Sequence, residues 1–195
     1  MDAIQQTLVV LKPDAVQRGI IGDIIGRFEQ RGLKIVASKM MIPGDDLLNS
    51  HYPGDRDELV VGIGNRTLEG YKDLGIDVKE KFGHDDPVKI GHEVRGWLID
   101  FMQSGPVFAM VIQGPNAIQV VRKIRGNTEP LRAELGTITG DHSFDSSAFA
   151  NAQGRPIKNL VHASGNKEEA DFEVGLWFKP EEIFDYDTVN QKNMI

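Results

Sequence analysis

The chain has 195 residues, 40% of them hydrophobic and 26% charged, with a formal net charge of −7 and no cysteine. That length fits one domain, or one domain with a sizeable insertion, and the composition excludes a disordered, collagen-like or disulfide-stapled class. Without cysteine there is no disulfide, thiolate metal site or cysteine nucleophile, and the negative charge disfavours a general nucleic-acid binder, which needs basic surface to release counterions.

The first residues, Met1-Asp2-Ala3-Ile4, lack the basic start and apolar run of a signal peptide. No apolar run approaches the ~18 residues of a membrane span, so a cytoplasmic protein without membrane association is expected. Gln6 to Lys12 is a β-branched apolar run closed by Pro13 and reads as a buried strand. Gly22 to Arg31 places Ile24, Ile25 and Phe28 on one helical face, with Gly32 as a C-cap candidate. Leu33 to Ile42 is a second strand ending at Pro43-Gly44, and Asp45 to Tyr52 a short helix. Residues 53–95 are polar and glycine-rich, with a helix candidate at Asn65 to Leu74 and a loop at Gly83 to Pro87. Val107 to Gln113 is a third strand; Asn116 is an N-cap candidate for a helix through Ile124, with Gly126 behind it. Residues 126–161 hold few periodic segments, and Asp171 to Phe178 reads as a fourth strand. This order predicts an α+β, ferredoxin-like βαββαβ antiparallel sheet with helices on one face. A single domain over 1–195 would carry a helical insertion at about 53–95, at the cleft edge or a subunit interface, and an extended loop at about 126–161.

Five histidines are present and none has a metal-binding HExxH or HxH spacing. His162 follows the apolar pair Leu160-Val161 and precedes the small residues Ala163, Ser164 and Gly165, which leaves room for a ligand beside its imidazole. Glu173, in the expected last strand, is a carboxylate that could fix the tautomer of His162 and leave the other nitrogen nucleophilic. The residues alone favour a half-buried histidine with satisfied hydrogen bonds. Lys12 at a strand end, and Arg122 and Arg125 late in a helix before Thr128, suit phosphate oxygens, or are solvated charges at a helix C-terminus. Gly62-Ile63-Gly64 lacks the third glycine of a dinucleotide fingerprint and there is no GxxxxGK[ST] loop. Trp97 and Trp177 fall in apolar patterns and read as core or interface.

Several segments together resemble the nucleoside diphosphate kinase family. They are Thr7-Leu-Val-Val-Leu-Lys-Pro-Asp-Ala-Val-Gln-Arg-Gly19, Ile24-Ile-Gly-Arg-Phe-Glu-Gln-Arg-Gly32, the pair His51-Tyr52, and Met102-Gln-Ser-Gly-Pro-Val107. Gly126-Asn-Thr-Glu-Pro130, Gly136-Thr-Ile-Thr-Gly-Asp141, Asn159-Leu-Val-His-Ala-Ser164 and Leu176-Trp-Phe-Lys-Pro-Glu-Glu182 follow in order. The resemblance spans roughly residues 6–186 and looks like a longer form of the family. It implies ping-pong transfer of a γ-phosphate from a triphosphate such as ATP to a diphosphate, through a phosphohistidine at His162. It further implies Glu173 as the orienting carboxylate, and Tyr52 and Lys12 near the γ-phosphate, with Lys12 also reaching the ribose. Arg122 and Thr128 would be phosphate ligands and Asn159 the ribose ligand. Mg²⁺ would be held mainly by the nucleotide phosphates, and the chain would form a homo-oligomer, a hexamer or tetramer.

The sequence departs from the family at three places. Thr139 stands where the resemblance lays a phosphate-binding arginine, with Arg132, Arg155 and Lys158 as nearby replacements. Gly165 replaces an aspartate. The base-stacking phenylalanine has no counterpart near Glu93-Val94, which leaves Phe82, Tyr71 or Val94 as the platform. Loss of the arginine admits a second function: a nucleotide-binding regulatory module of the same fold with weak or no turnover.

Overall fold

The computed structural model describes residues 4–190. Strand β1 (Ile4–Leu11) is followed by α1 (Pro13–Gln17), α2 (Ile21–Gln30) and strand β2 (Lys34–Met41). A helical block comes next: α3 (Asp45–His51), α4 (Asp57–Asp73), α5 (Val78–Phe82) and α6 (Pro87–Gln103). Strand β3 (Val107–Pro115) then leads to α7 (Ala117–Arg125), α8 (Ile138–His142), α9 (Ser147–Ala152), strand β4 (Val161–Ala163) and α10 (Lys167–Trp177). The strands lie in the order β2-β3-β1-β4, and every pairing is antiparallel. That is the expected ferredoxin-like βαββαβ sheet, with α3 to α6 between the edge strand β2 and β3.

Helices cover both faces of the sheet, not one as the sequence reading had it. Val9 and Leu11 pack with Ile24, Phe28 and Val121 on one face; Leu8 and Val10 pack with Leu48, Met102, Val174 and Trp177 on the other. The sign was present in the sequence: Leu8 to Leu11 is a continuous apolar run, and a strand with one wet face alternates. All four residues are fully buried.

The expected fourth strand at Asp171 to Phe178 is instead most of α10. Its aromatic and β-branched content suggested a strand, but Ala170, Glu173, Val174 and Trp177 are its buried residues, an i, i+3, i+4, i+7 stripe. The Asn166 side chain caps it by accepting from the Glu169 N–H at 2.9 Å. The true fourth strand is only three residues long and pairs His162 with Val10.

The helix expected at Asn65 to Leu74 extends back to Asp57. Gly62, Gly64 and Gly70 obscured it, since glycine weakens a helix by about 1 kcal/mol. At Gly64 the glycine is required: an added methyl would overlap the Pro87 carbonyl of α6, and one at Gly91 would overlap the Val60 carbonyl of α4. The two helices therefore cross with backbones in contact at reciprocal glycines. Gly91→Ala is expected to lower stability by about 1–3 kcal/mol through this overpacking, read as an earlier thermal or denaturant midpoint. Gly96, in the same helix with open space around it, is the control: Gly96→Ala should be neutral or slightly stabilising.

The residues proposed as base platforms pack on one another in this helical block. Tyr71, Val78, Ile90, Val94 and Ala148 form a separate apolar cluster with Phe82 and Trp97 against it, and the Phe82 and Trp97 rings stack at 5.8 Å. Tyr71 and Val94 are buried there, so neither presents a face to a base.

Candidate active site around His162

Val161 and Ala163 turn toward the α2/α7 face of the sheet, so strand alternation sends His162 to the opposite face, toward α3 and α10. Glu173, on the buried stripe of α10, meets it there. His162 Nε2 lies 3.0 and 2.9 Å from the two Glu173 carboxylate oxygens. The expected pairing is present, but from a helix across the sheet. A carboxylate accepts only, so this geometry assigns the proton to Nε2 and leaves the lone pair on Nδ1. The Ser164 hydroxyl donates to Glu173 Oε2 at 2.6 Å and accepts from the Leu8 N–H at 3.3 Å, which anchors the carboxylate to β1. Burial pushes the Glu173 carboxyl up, but His162, His51 and the Ser164 hydroxyl outweigh it and hold the group below the ordinary carboxylate range.

His51 and Trp177 complete this wall. The Trp177 indole N–H donates to His51 Nδ1 at 3.2 Å. His51 meets His162 edge-on, with ring centroids 4.5 Å apart. Burial, reinforced by His162, drives the His51 imidazole down to about 3, so it is a neutral spacer. Trp177, read from sequence as core, is thus also part of the site's support. Tyr52 stands beside His51 and His162, and burial together with the Glu173 charge raises its phenol, so it stays a neutral hydrogen-bonding group.

A second network carries the positive charge. Lys12 Nζ donates to Asn159 Oδ1 at 2.8 Å, and Asn159 Nδ2 donates to the Thr128 carbonyl at 2.8 Å. Arg125 Nη2 donates to the Thr128 hydroxyl at 2.8 Å. The turn before β4 is tied down from β1 and α1: the Lys12 N–H donates to the Leu160 carbonyl at 2.8 Å, and the Leu160 N–H to Asp14 Oδ2 at 3.1 Å. Leu160 has φ 69°, a left-handed conformation unfavourable for a branched side chain, and its complete burial holds it there. Arg122, one turn before Arg125 on α7, is exposed.

Nothing along the chain marked Ser164, Asp14 or His51 beyond their place in motifs; their function depends on contacts between distant elements. Two of the candidate replacements for an arginine at position 139 are engaged elsewhere. Arg155 clamps Asp145 at 2.6 and 3.1 Å, Arg132 pairs with Asp73, and Lys158 is exposed. Thr139 itself is only 1% exposed, so it is an interior residue.

Lys12 has the most consequential protonation. Burial, opposed by Asp14 and reinforced by Arg125, lowers its ammonium to about 8. It is therefore a cation below that pH and a neutral amine above it. For the phosphoryl transfer that the resemblance implies, kcat/KM is expected to decline as pH rises through about 8, measured by steady-state assays across neutral and alkaline pH. In kcat the decline should move upward, because bound phosphate favours the ammonium. A flat kcat/KM profile would remove Lys12 from phosphate recognition.

No helix among the described residues is long and apolar enough to cross a membrane. The family model described as nucleoside diphosphate kinase matches residues 5–60 and 89–183. A curated nucleoside diphosphate kinase from Pyrobaculum aerophilum is 44% identical over 182 residues, covering 93% of this chain and 99% of its own. A crystal structure of an NDP kinase from that organism superposes with a TM-score of 0.88 at 43% identity, covering 93% and 100% of the two chains. The nucleoside-diphosphate kinase of Borrelia burgdorferi, solved as a transition-state mimic with bound vanadate and ADP, superposes with a TM-score of 0.77 at 37% identity, covering 99% and 98%. The motifs, the sheet that carries them and these matches over nearly the whole chain agree, and the chain belongs to the nucleoside diphosphate kinase family.

Proposed function

We propose that this chain performs the family's phosphotransfer with His162 Nδ1 as the phosphoryl carrier. The observation that carries the assignment is the double contact of Glu173 with His162 Nε2, which leaves Nδ1 free. The Nδ1 lone pair attacks the γ-phosphorus of a nucleoside triphosphate in line. The bond to the β–γ bridging oxygen breaks, and the diphosphate leaves with its electron pair. Positive charge builds on the imidazole and is stabilised by Glu173 through Nε2–H. In the second half-reaction a β-phosphate oxygen of another diphosphate attacks the phosphorus, and the P–N bond electrons return to Nδ1. Proximity and electrostatics supply most of the acceleration in such transfers. Lys12, Arg122 and Thr128 are the phosphate ligands in this reading, and Tyr52 a hydrogen-bonding neighbour of the transferred group. Asn159 holds Lys12 against the Thr128 carbonyl and keeps one N–H and one lone pair for a ribose hydroxyl.

The phosphotransfer generally uses a divalent metal, taken here as Mg²⁺. Among the described residues, His51, His162 and Glu173 bring ligand atoms within 4.8 Å of one another, but Glu173 is committed to His162 and Ser164, the His51 Nδ1 is held by Trp177, and Lys12 and Arg125 would repel a cation. The ion's place is on the phosphate oxygens, where it neutralises charge. The complete His162–Glu173 pair supports turnover over a nucleotide-holding regulatory module. Localisation to the cytoplasm remains part of the proposal. So does a single domain with an insertion at about 53–95 and an extended loop at about 126–161, to which the family model's gap at 61–88 lends support. A hexamer or tetramer is proposed on the same footing: Phe144 and Leu135 are 95% and 86% exposed, apolar surface suited to a subunit contact. The test of the chemistry is intact mass and chemical stability after mixing with ATP and Mg²⁺. One phosphate per chain, acid-labile and base-stable, is expected, and removal by GDP with formation of GTP completes the cycle. A chain that takes up no phosphate while turning over ATP to GTP would overturn the carrier role.

A further inference from the structure

Arg125 occupies an unusual place for an arginine. The buried residues of α7 are Ala117, Ile118, Val121 and Arg125, so it lies on the helix's core stripe, whereas Arg122 and Lys123 are exposed. It is 8% exposed, and among the described residues no carboxylate pairs with it. Its protein partners are the Gly126 carbonyl, 3.2 Å from Nε, and the Thr128 hydroxyl, 2.8 Å from Nη2. The charges that act on it and through it are of like sign: Arg122 on the same helix, and Lys12 at the end of β1. Asp14, the acid that acts on Lys12, is bound to the Leu160 N–H. Buried cations of like charge without a counter-ion disfavour one another, and a bound anion relieves that repulsion.

The hydrogen bonds also indicate a direction. Among the described residues Nη1 has no partner, and it is not among the enclosed unpartnered atoms, so it is not sealed from solvent. The Thr128 hydroxyl accepts from Nη2, so its own proton is left to donate outward. Beyond Thr128, its carbonyl and Asn159 link Arg125 to Lys12. We infer that Arg125 is a direct phosphate ligand of the nucleotide site, its Nη1 edge and the Thr128 hydroxyl together taking non-bridging phosphate oxygens beside Lys12. Arg125 thereby supplies from α7 a planar cation in a site where position 139 offers none. The inference rests on the nucleotide-phosphotransfer reading for its substrate, but its test uses binding and so does not depend on turnover.

The experiment uses the full chain with Arg125→Gln and Arg125→Lys, and titrates ADP and adenosine by calorimetry beside thermal melting. Arg125→Gln is expected to weaken ADP by about 10–10²-fold while leaving adenosine unchanged, and to lower kcat/KM by a similar factor. Arg125→Lys should recover part of both. The kcat/KM decline that follows Lys12 should move to higher pH in Arg125→Gln, because a like charge has been removed from beside the ammonium. Unchanged ADP affinity in a folded Arg125→Gln, or equal weakening of ADP and adenosine, would overturn the inference. Should Arg125→Gln fail to fold, the wild-type chain decides: ADP, and not adenosine, is expected to protect Arg125 from phenylglyoxal, and equal modification in both would overturn it. A wild-type chain that transfers no phosphate would end the kinase reading while leaving the protection result to stand or fall by itself.

Discussion

His162→Ala is expected to abolish ATP-to-GDP transfer, by on the order of 10⁵-fold, the scale on which loss of a covalent nucleophile is felt. No other described side chain can take its place. His51 is the adjacent imidazole, but its Nδ1 is held by the Trp177 indole and its ring is buried. The fold should survive, because β4 keeps its pairing through backbone bonds and His162 is only half-buried. Glu173 would lose one partner and retain the Ser164 hydroxyl, a change costing about 1–3 kcal/mol and visible as a modest drop in Tm. The measurements are steady-state transfer, phosphate uptake by intact mass, and thermal melting on one preparation. Activity beyond a trace in a folded variant would remove His162 from the nucleophile role.

Glu173→Gln should slow phosphorylation of the chain by roughly 10²–10⁴ without preventing it, the range for loss of an orienting acid–base partner. The neutral amide can still accept from His162 Nε2–H, so the ring keeps its place. What it lacks is the negative charge that stabilises the imidazole as phosphorus bonds to Nδ1. In the wild type that charge persists well into acid, since the Glu173 pKa is depressed. Its contribution to stability is present above the unfolded-state pKa and is lost as pH falls through the lower folded value. Glu173→Gln should therefore flatten the acid side of the stability profile as well as slow the chemistry. Single-turnover kinetics with ATP read the rate; an unchanged rate would mean the carboxylate orients nothing that matters in the transition state.

The two effects separate because the residues act at different points. His162 forms and breaks the bond to phosphorus, whereas Glu173 acts through His162. A Glu173→Gln variant that remains phosphorylatable beside an inert His162→Ala is the pattern expected of a carrier and its positioning partner.

Much of the site was legible from residue order. Lys12 before Pro13, Tyr52 after His51, Thr128 after Gly126 and His162 before Ala163-Ser164 were marked by motifs, and Lys12 and Tyr52 each sit where an element ends. The apolar runs at Leu8–Leu11 and Val107–Ile112 located the central strands, because burial on both faces demands continuous hydrophobicity. The element at Asp171 to Phe178 was read wrongly: Phe172, Val174, Trp177 and Phe178 suit a strand by composition, and only the burial of Ala170, Glu173, Val174 and Trp177 at helical spacing shows α10. The span of α4 was hidden as well, because Gly64 serves a helix crossing whose partner comes later in the chain.

By itself the sequence determined the family, the αβ order and the residue types of the phosphate site, because local propensity and short motifs are written in neighbouring positions. Tertiary structure alone decided which nitrogen of His162 is free, that Glu173 reaches it from a helix, and that Ser164 and Asp14 anchor the two networks. It also decided that Arg125 lies among the buried cations while Arg132 and Arg155 are engaged elsewhere. Hydrogen-bond direction, burial and the sign of neighbouring charges arise only when β1, β4, α7 and α10 converge, and no spacing along the chain encodes them.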